Sequence, residues 1–352
     1  MEEETAPLGH AKRPRISDIA REAGVSVATV DRVLHGRPGV KKHTTELINS
    51  VIHQLAYGTP PSANRRAKKK LKFDIILPVG PNTFMDVLSN ETQRVFKPLV
   101  EAGVSIEIHR IDRFDPQVLT DHIRAIAPRT NGIAVVAVES PMVREAVNEV
   151  IDSGIPVVTL VSDLSTSHRI SYVGIDNRAA GRTAGALMGL MVPQAAGKVV
   201  VVAGSFGLNY RDHEEREMGF QRVLSERYPN LRIADRIESH DDFQETYRQT
   251  MKILEHEPDI VGIYNISSGN RGIGTALEET KTANEIVFIG HELTRYSRQY
   301  LVSGTMDAVI DQSPKIEAER ISEILCNFHN QTEFNPLLDP IPIQIFFREN
   351  LP

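Results

Sequence analysis

Two hydroxyls and an arginine in SVATVDRVLHG, namely Ser26, Thr29 and Arg32, could do the chemistry of polyanion recognition. Hydroxyls placed there can bond phosphate oxygens. Arg32, with Val27 and Ala28 at the start of the same helical pattern, would face base edges. Asp31 cuts across this scheme, because a carboxylate near phosphates costs attraction. It could accept a hydrogen bond from a cytosine amine, or pair with Arg32 or Arg37. The charge of the chain is divided to match. The net charge is −6, yet residues 12–72 carry +10, residues 1–11 carry −3 and residues 73–352 carry −13. A basic module on an acidic body predicts a polyanion partner for the module alone.

The rest of the chain offers polar residues suited to binding and no constellation suited to catalysis. There is no nucleophile elbow, P-loop, HExxH or zinc-spaced His/Cys cluster, and the 12 histidines are scattered. GSFGLN and GNRGIG miss the G-x-G-x-x-G pattern, so their glycines read as strand-to-helix turns. The sequence predicts no enzyme, no cofactor and no metal. Candidate binding residues sit just past apolar runs: Asn82, Phe84, Asp163, Asp176 and Asn177, then Arg216, Asn265, Asn270, His291, Glu292 and Gln312. Carboxylates, amides and an arginine around an aromatic face suit a polyhydroxylated ligand, each of whose hydroxyls wants a donor and an acceptor.

Those residues need a scaffold, and the patterning supplies one. From Phe73, eleven short apolar runs alternate with helical segments: FDIILPV, VSIEIHRI, GIAVVAV, IPVVTLV, SYVGI, KVVVVAG, LRIADRI, IVGIYNI, EIVFIGH, MDAVIDQ and IPIQIFF. Nearly continuous apolar runs are strands covered on both faces, hence parallel α/β sheets, and so many strands divide better into two lobes than one. In open parallel sheets ligands sit at the carboxyl ends of strands, where the candidates fall. Ahead of this core, Ser17 reads as an N-cap; Ile16, Ile19, Ala20 and Ala23 form an apolar face; Gly24 breaks the helix; Ser26 caps a second. Leu47, Ile48, Val51, Ile52 and Leu55 mark a third helix. Three short helices with a glycine turn between the first two make a helix-turn-helix. Residues 1–11 read as a disordered tail, 12–58 as the helical headpiece, and 59–72, with Pro60, Pro61 and a basic run, as a linker. The lone Cys326 excludes an internal disulfide. With no secretory or membrane-spanning run, the sequence predicts a cytoplasmic protein.

The stretch ISDIAREAGVSVATVDRVLHGRPGV resembles the headpiece of LacI/GalR-family bacterial transcription regulators, and the α/β body resembles a type I periplasmic-binding-protein core. The resemblance implies phosphate contacts from Ser26, Thr29 and His35 and base contacts from Val27, Ala28 and Arg32. Asp31 stands where the family usually has a small hydroxyl residue. NRRAKKKL resembles the family's hinge helix, which implies DNA contacts from Asn64, Arg65, Ala67 and Lys70; Lys70 falls at the position of the apolar wedge. In the core, NTF, REMGF, IGHELT and VIDQSP resemble ligand-gripping segments of sugar receptors, carrying Asn82 and Phe84, Arg216, His291 and Glu292, and Gln312. Where those receptors often have Asp-Arg, this chain has Val161-Ser162-Asp163. The implied lobes are about 73–178 with 312–330, and about 179–311 with 331–352. The implied function is a repressor: a homodimer on a pseudo-palindromic double-stranded operator, controlled by a sugar or polyol effector. A transport receptor and a sugar-processing enzyme with an accessory domain are the alternatives. The receptor would lack an export signal and a use for the basic module, and the enzyme would need a catalytic constellation.

Overall fold

Each of the eleven apolar runs becomes a strand in the computed structural model. It describes residues 16–34, 40–41, 44–45, 47–48, 51, 70–79, 83–112, 115–192, 196–204, 210–240, 242–330 and 340–352, with the backbone alone at 16–18, 31, 34 and 112. The chain forms two compact units, Met1–Lys68 and Lys69–Pro352.

In the first unit, α1 spans Ile16–Glu22 and α2 spans Val27–Leu34. Ser17 therefore lies inside α1 rather than capping it, a two-residue correction to the sequence reading. Gly24 takes φ +63°, the left-handed geometry that closes a helix cheaply only at glycine. The Ser26 hydroxyl accepts from the Thr29 amide at 3.1 Å, so it caps α2 as expected. Ile19, Ala20, Ala23, Val30, Ile48 and Val51 form a small buried core, while Leu47, assigned to it from sequence, is 40% exposed.

The second unit contains two sheets. The first runs β2-β1-β3-β4-β5, with β1 at Leu71–Val79, β2 at Val104–Asp112, β3 at Gly132–Val135, β4 at Val157–Leu160 and β5 at Ser171–Val173, all parallel. Leu71 and Lys72, assigned to the linker from sequence, are already strand. Ile75, Ile76 and Leu77 are fully buried in succession, as a strand covered on both faces requires. The second sheet runs β11-β10-β9-β8-β6-β7, with β6 at Gly197–Ala203, β7 at Leu231–Glu238, β8 at Ile260–Asn265, β9 at Val287–His291, β10 at Ala308–Asp311 and β11 at Gln344–Phe346. Its ladders are parallel except β10 with β11, which the continuous apolar runs do not reveal.

The chain passes between the lobes after β5, after β10 and before β11. α3 (Thr83–Phe96) follows β1 in the first lobe, and α6 (Asn177–Met191) packs along α7 (Arg211–Arg227) of the second. α4 (Pro116–Ile126) and α5 (Pro141–Asp152) lie between these in sequence, and α11 (Pro314–Asn330) returns to pack on α3 and β5. The α6–α7 contact is backbone to backbone. A methyl group on Gly181 would meet the Arg216 carbonyl oxygen at 1.9 Å, and one on Gly219 would meet the Arg178 oxygen at 2.2 Å. Only hydrogen fits at either crossing.

Candidate functional site

The carboxyl ends of the two sheets face a cleft enclosing about 470 Å³ of space, part of it open to solvent. The first lobe contributes Phe84, Met85 and Val161 as an apolar wall. The second contributes Tyr210, Asp212, His213 and Arg216 from the start of α7, Ser267 from the end of β8, and Glu292 from the end of β9; Gln312 stands at the crossing after β10.

Arg216 is the centre of this arrangement and is only 2% exposed. Its Nε donates to Asn177 Oδ1 at 2.8 Å and its Nη1 to the Ile266 carbonyl at 2.8 Å. Asn177 is held in turn, donating to Tyr172 Oη at 3.1 Å, while Tyr172 donates to the Val161 carbonyl at 2.9 Å. The guanidinium is thus fixed within the second lobe and tied to the first through Asn177 and Tyr172, and among the described residues Nη2 is left without a hydrogen-bond partner, 3.9 Å from Asp212 Oδ2. The close α6–α7 crossing makes this possible, since it sets Asn177 and Arg216 on adjacent turns.

Opposite stands Glu292, 3.9 Å from Arg216 Nη1 and accepting from Gln312 Nε2 at 2.5 Å. Burial outweighs the nearby guanidinium and pushes the Glu292 carboxyl up to about 8, so it is mostly protonated at neutral pH and can donate. Glu317, on the first turns of α11, is fully buried near it and its carboxyl is held well above the ordinary range, by desolvation and then by Glu292 and Asp311. Burial drives His291 the other way, so its ring stays neutral, with Nε2 2.8 Å from Tyr264 Oη. Among the described residues, Asp212 Oδ1, His213 Nδ1, Arg216 Nη2, Ser267 Oγ, Glu292 Oε2 and Gln312 Oε1 are buried atoms without hydrogen-bond partners. Buried polar atoms are ordinarily satisfied, so a convergent set of donors and acceptors is the signature of a ligand site.

Of the sequence candidates, Phe84, Arg216, Glu292 and Gln312 meet in this cleft. His291 and Asn270 border an adjoining basin, where the Asn270 side chain donates to the His291 carbonyl at 2.7 Å. Three further candidates make internal contacts outside this cleft. Asp163 is bound by the Arg169 guanidinium on both oxygens; Asp176 caps α6 by accepting from the Ala179 amide at 2.8 Å; and Asn265 spends its amide on Ser267 and Asn270. Asp163 and Asp176 instead flank a separate hollow that includes Asn177 and Arg211. Asn82 lies outside the described residues. Sequence reasoning overlooked Asp212, His213, Tyr210 and Glu317. Asp212 and His213 stand one turn ahead of Arg216, and that spacing could have found them; nothing marks Glu317 among other amphipathic-helix glutamates.

In the headpiece, Ser26, Val27, Ala28 and Arg32 are exposed along α2 and Thr29 is half-buried, its hydroxyl 2.8 Å from that of Ser26. Lys70 is exposed just ahead of β1. His35, Asn64, Arg65, Ala67 and the Asp31 side chain lie outside the described residues. Among the described residues no helix is long and apolar enough to cross a membrane.

Comparison with known proteins agrees with both units. Residues 73–330 match the periplasmic binding protein domain family, and residues 15–60 match the lacI family of bacterial regulatory proteins. The chain is similar to catabolite control protein A of Priestia megaterium, 23% identical over 340 residues covering 95% of this chain and 98% of the relative. It is 31% identical over 119 residues to the HTH-type transcriptional regulator TreR of Escherichia coli K12, covering 33% of this chain and 36% of TreR. Among solved structures, a glucose-galactose binding protein of Geobacillus stearothermophilus aligns with 81% of this chain and 100% of its own, at TM-score 0.72 and 21% identity. A solute-binding protein of Burkholderia graminis in complex with D-arabinose aligns with 81% of this chain and 98% of its own, at TM-score 0.74 and 21% identity.

Proposed function

We propose, for a chain that belongs to the periplasmic binding protein domain family and carries a lacI-family headpiece ahead of that core, that it is a DNA-binding transcriptional regulator whose operator affinity answers to a small polyhydroxylated effector. The single observation that carries the effector half is Arg216, buried in the cleft lining, held by Asn177 and the Ile266 carbonyl and, among the described residues, left with one unpartnered nitrogen. Buried charged groups are ordinarily fully hydrogen-bonded, and a ligand hydroxyl placed in the cleft would complete the set around this guanidinium. The DNA half rests on the exposed row Ser26, Val27, Ala28 and Arg32 along α2.

In this reading the chain is a repressor acting as a homodimer on a pseudo-palindromic operator. Effector bound in the cleft alters the angle between lobes, and the dimer transmits that to the spacing of two headpieces. The hinge segment around Asn64, Arg65, Ala67 and Lys70 tracks the DNA, and the core needs no cofactor or metal. The relatives named above are regulators rather than enzymes, and a solute receptor or sugar-processing enzyme would leave the headpiece idle. The test is a thermal-shift screen of sugars, polyols and phosphorylated sugars, followed by gel shifts on the operator with each hit. A hit should stabilise the wild type, fail to stabilise Arg216→Lys, and change operator affinity. Turnover of the hit, or operator affinity indifferent to it, would overturn the reading.

A further inference from the structure

Beside the Arg216 cleft lies a basin of about 900 Å³, part of it open to solvent, walled mostly by the second lobe with Thr83 and Asp86 of α3 on the other side; it shares Ser267 and Glu292 with the cleft. Two helices begin at its wall: α9 (Asn270–Thr280) and α10 (Arg295–Ser303). Both present the positive end of the helix dipole. Thr294 closes the first turn of α10 by capping Ser297, whereas the N-cap of α9 is Gly269, which has no side chain to offer its first amides.

Two arginines frame the same space. The Arg271 guanidinium carbon lies 4.0 Å from the Phe243 ring centroid and 4.9 Å from that of Tyr296. Packing on two rings fixes the plane of the group and leaves its N–H edge for an oxyanion. Arg295 packs on Tyr296 at 4.6 Å and donates to its hydroxyl at 2.7 Å. Among the described residues neither arginine is paired with a carboxylate. The two acids on the rim are engaged elsewhere: Asp86 is 3.0 Å from Arg110, and Glu292 accepts from Gln312.

Two buried groups of the basin lining also point to a ligand. Among the described residues, Ser267 is 6% exposed with no partner for its Oγ, and His291 is fully buried with none for its Nδ1. Helix termini, fixed cations and buried hydroxyl and imidazole groups together make an anion receptor. We propose that the effector is an anionic sugar derivative, whose phosphate or carboxylate is received by Arg271, Arg295 and the first turn of α9 while its hydroxylated body lies against Arg216. This rests on the reading of the core as an effector sensor.

The test has two arms on the full chain. In the first, inorganic phosphate at millimolar concentration, against chloride at equal ionic strength, should raise the melting temperature of the wild type and leave that of Arg271→Ala/Arg295→Ala unmoved. Equal response of the two proteins, or none from the wild type, overturns the anion receptor without needing the effector. In the second, neutral sugars are titrated beside their phosphates and their uronic or aldonic acids. A charged member should bind about 10–100-fold more tightly than its neutral parent, an advantage that Arg271→Ala removes and Arg271→Lys partly restores. Preference for phosphate over carboxylate, or the reverse, identifies the group. Neutral sugars binding as well as charged ones would sink this proposal and leave the effector cleft standing. No sugar of either kind binding, or binding indifferent to Arg216→Lys, would remove the effector reading, while the phosphate arm still decides the basin.

Discussion

Replacing Gly181 by alanine sets two physical effects against each other. Gly181 lies in the interior of α6, where glycine is less favourable than alanine by about 0.8–1.0 kcal/mol, so helix propensity alone predicts a more stable protein. The crossing with α7 predicts the opposite. The new methyl carbon would stand 1.9 Å from the Arg216 carbonyl oxygen and 2.6 Å from its carbonyl carbon, both backbone atoms that cannot rotate aside. Relieving that overlap requires α6 and α7 to separate by more than an ångström, at about 1–3 kcal/mol for an overpacked core. Asn177 rides on α6 and Arg216 on α7, so their 2.8 Å hydrogen bond stretches by a similar distance and is lost. A hydrogen bond to a charged group contributes about 1.5–3 kcal/mol, which would weaken effector binding by about 10–100-fold. Calorimetric melting of wild type and Gly181→Ala, with isothermal titration of a hit from the sugar screen, measures both. A variant that melts at or above the wild type and binds with unchanged affinity refutes the claim that this crossing positions the arginine.

Further outcomes follow from the same geometry. Glu292 titrates near 8 in the folded chain against 4.5 ordinarily, so its contribution to stability is full below pH 4.5 and is lost as pH rises to about 8. Glu292→Gln should therefore flatten the fall in melting temperature between pH 5 and pH 8; parallel wild-type and variant profiles would show that this carboxyl does not carry the proton. Arg216→Ala leaves the buried Asp212 carboxylate without its neighbouring guanidinium and empties a buried space, and should cost about 3–5 kcal/mol in denaturant unfolding, whereas a loss below 1 kcal/mol would mean that the guanidinium is not integral to the core. Arg32→Ala should weaken specific operator binding about 10–100-fold in gel shifts, and unchanged affinity would remove Arg32 from base readout.

The strands were legible because a buried parallel strand writes itself as an unbroken apolar run, and every such run from FDIILPV to IPIQIFF forms one. The antiparallel pairing of β11 was not, since covered strands look alike whichever way they run. In the site, Arg216 and Gln312 could be found because each follows a recognisable segment. The roles of Asp163 and Asp176 were not legible, because a strand-end carboxylate can face the cleft, bind Arg169 or cap a helix, and position along the chain is the same in all three cases. Glu317 was invisible for another reason. Its role comes from the crossing after β10, which brings the first turns of α11 under Glu292, and no local pattern encodes that approach.

Three residues at strand ends around the cleft, Val161, Glu292 and Ser313, hold φ of 63°, 71° and 59°, a region that side-chain-bearing residues avoid and a β-branched valine most of all. Each follows directly, or within two residues, a strand of one lobe or the other, and Val161 and Glu292 line the cleft itself. Such backbone costs about 1–3 kcal/mol per residue, and glycine accepts it at no steric cost. The set point of the sensor can thus be inherited through backbone geometry separately from its chemical taste. Exchanging Val161 or Ser313 for glycine would relieve backbone strain beside the cleft while the side-chain hydrogen-bonding groups around Arg216 stay the same, so a response threshold can change without a change of effector.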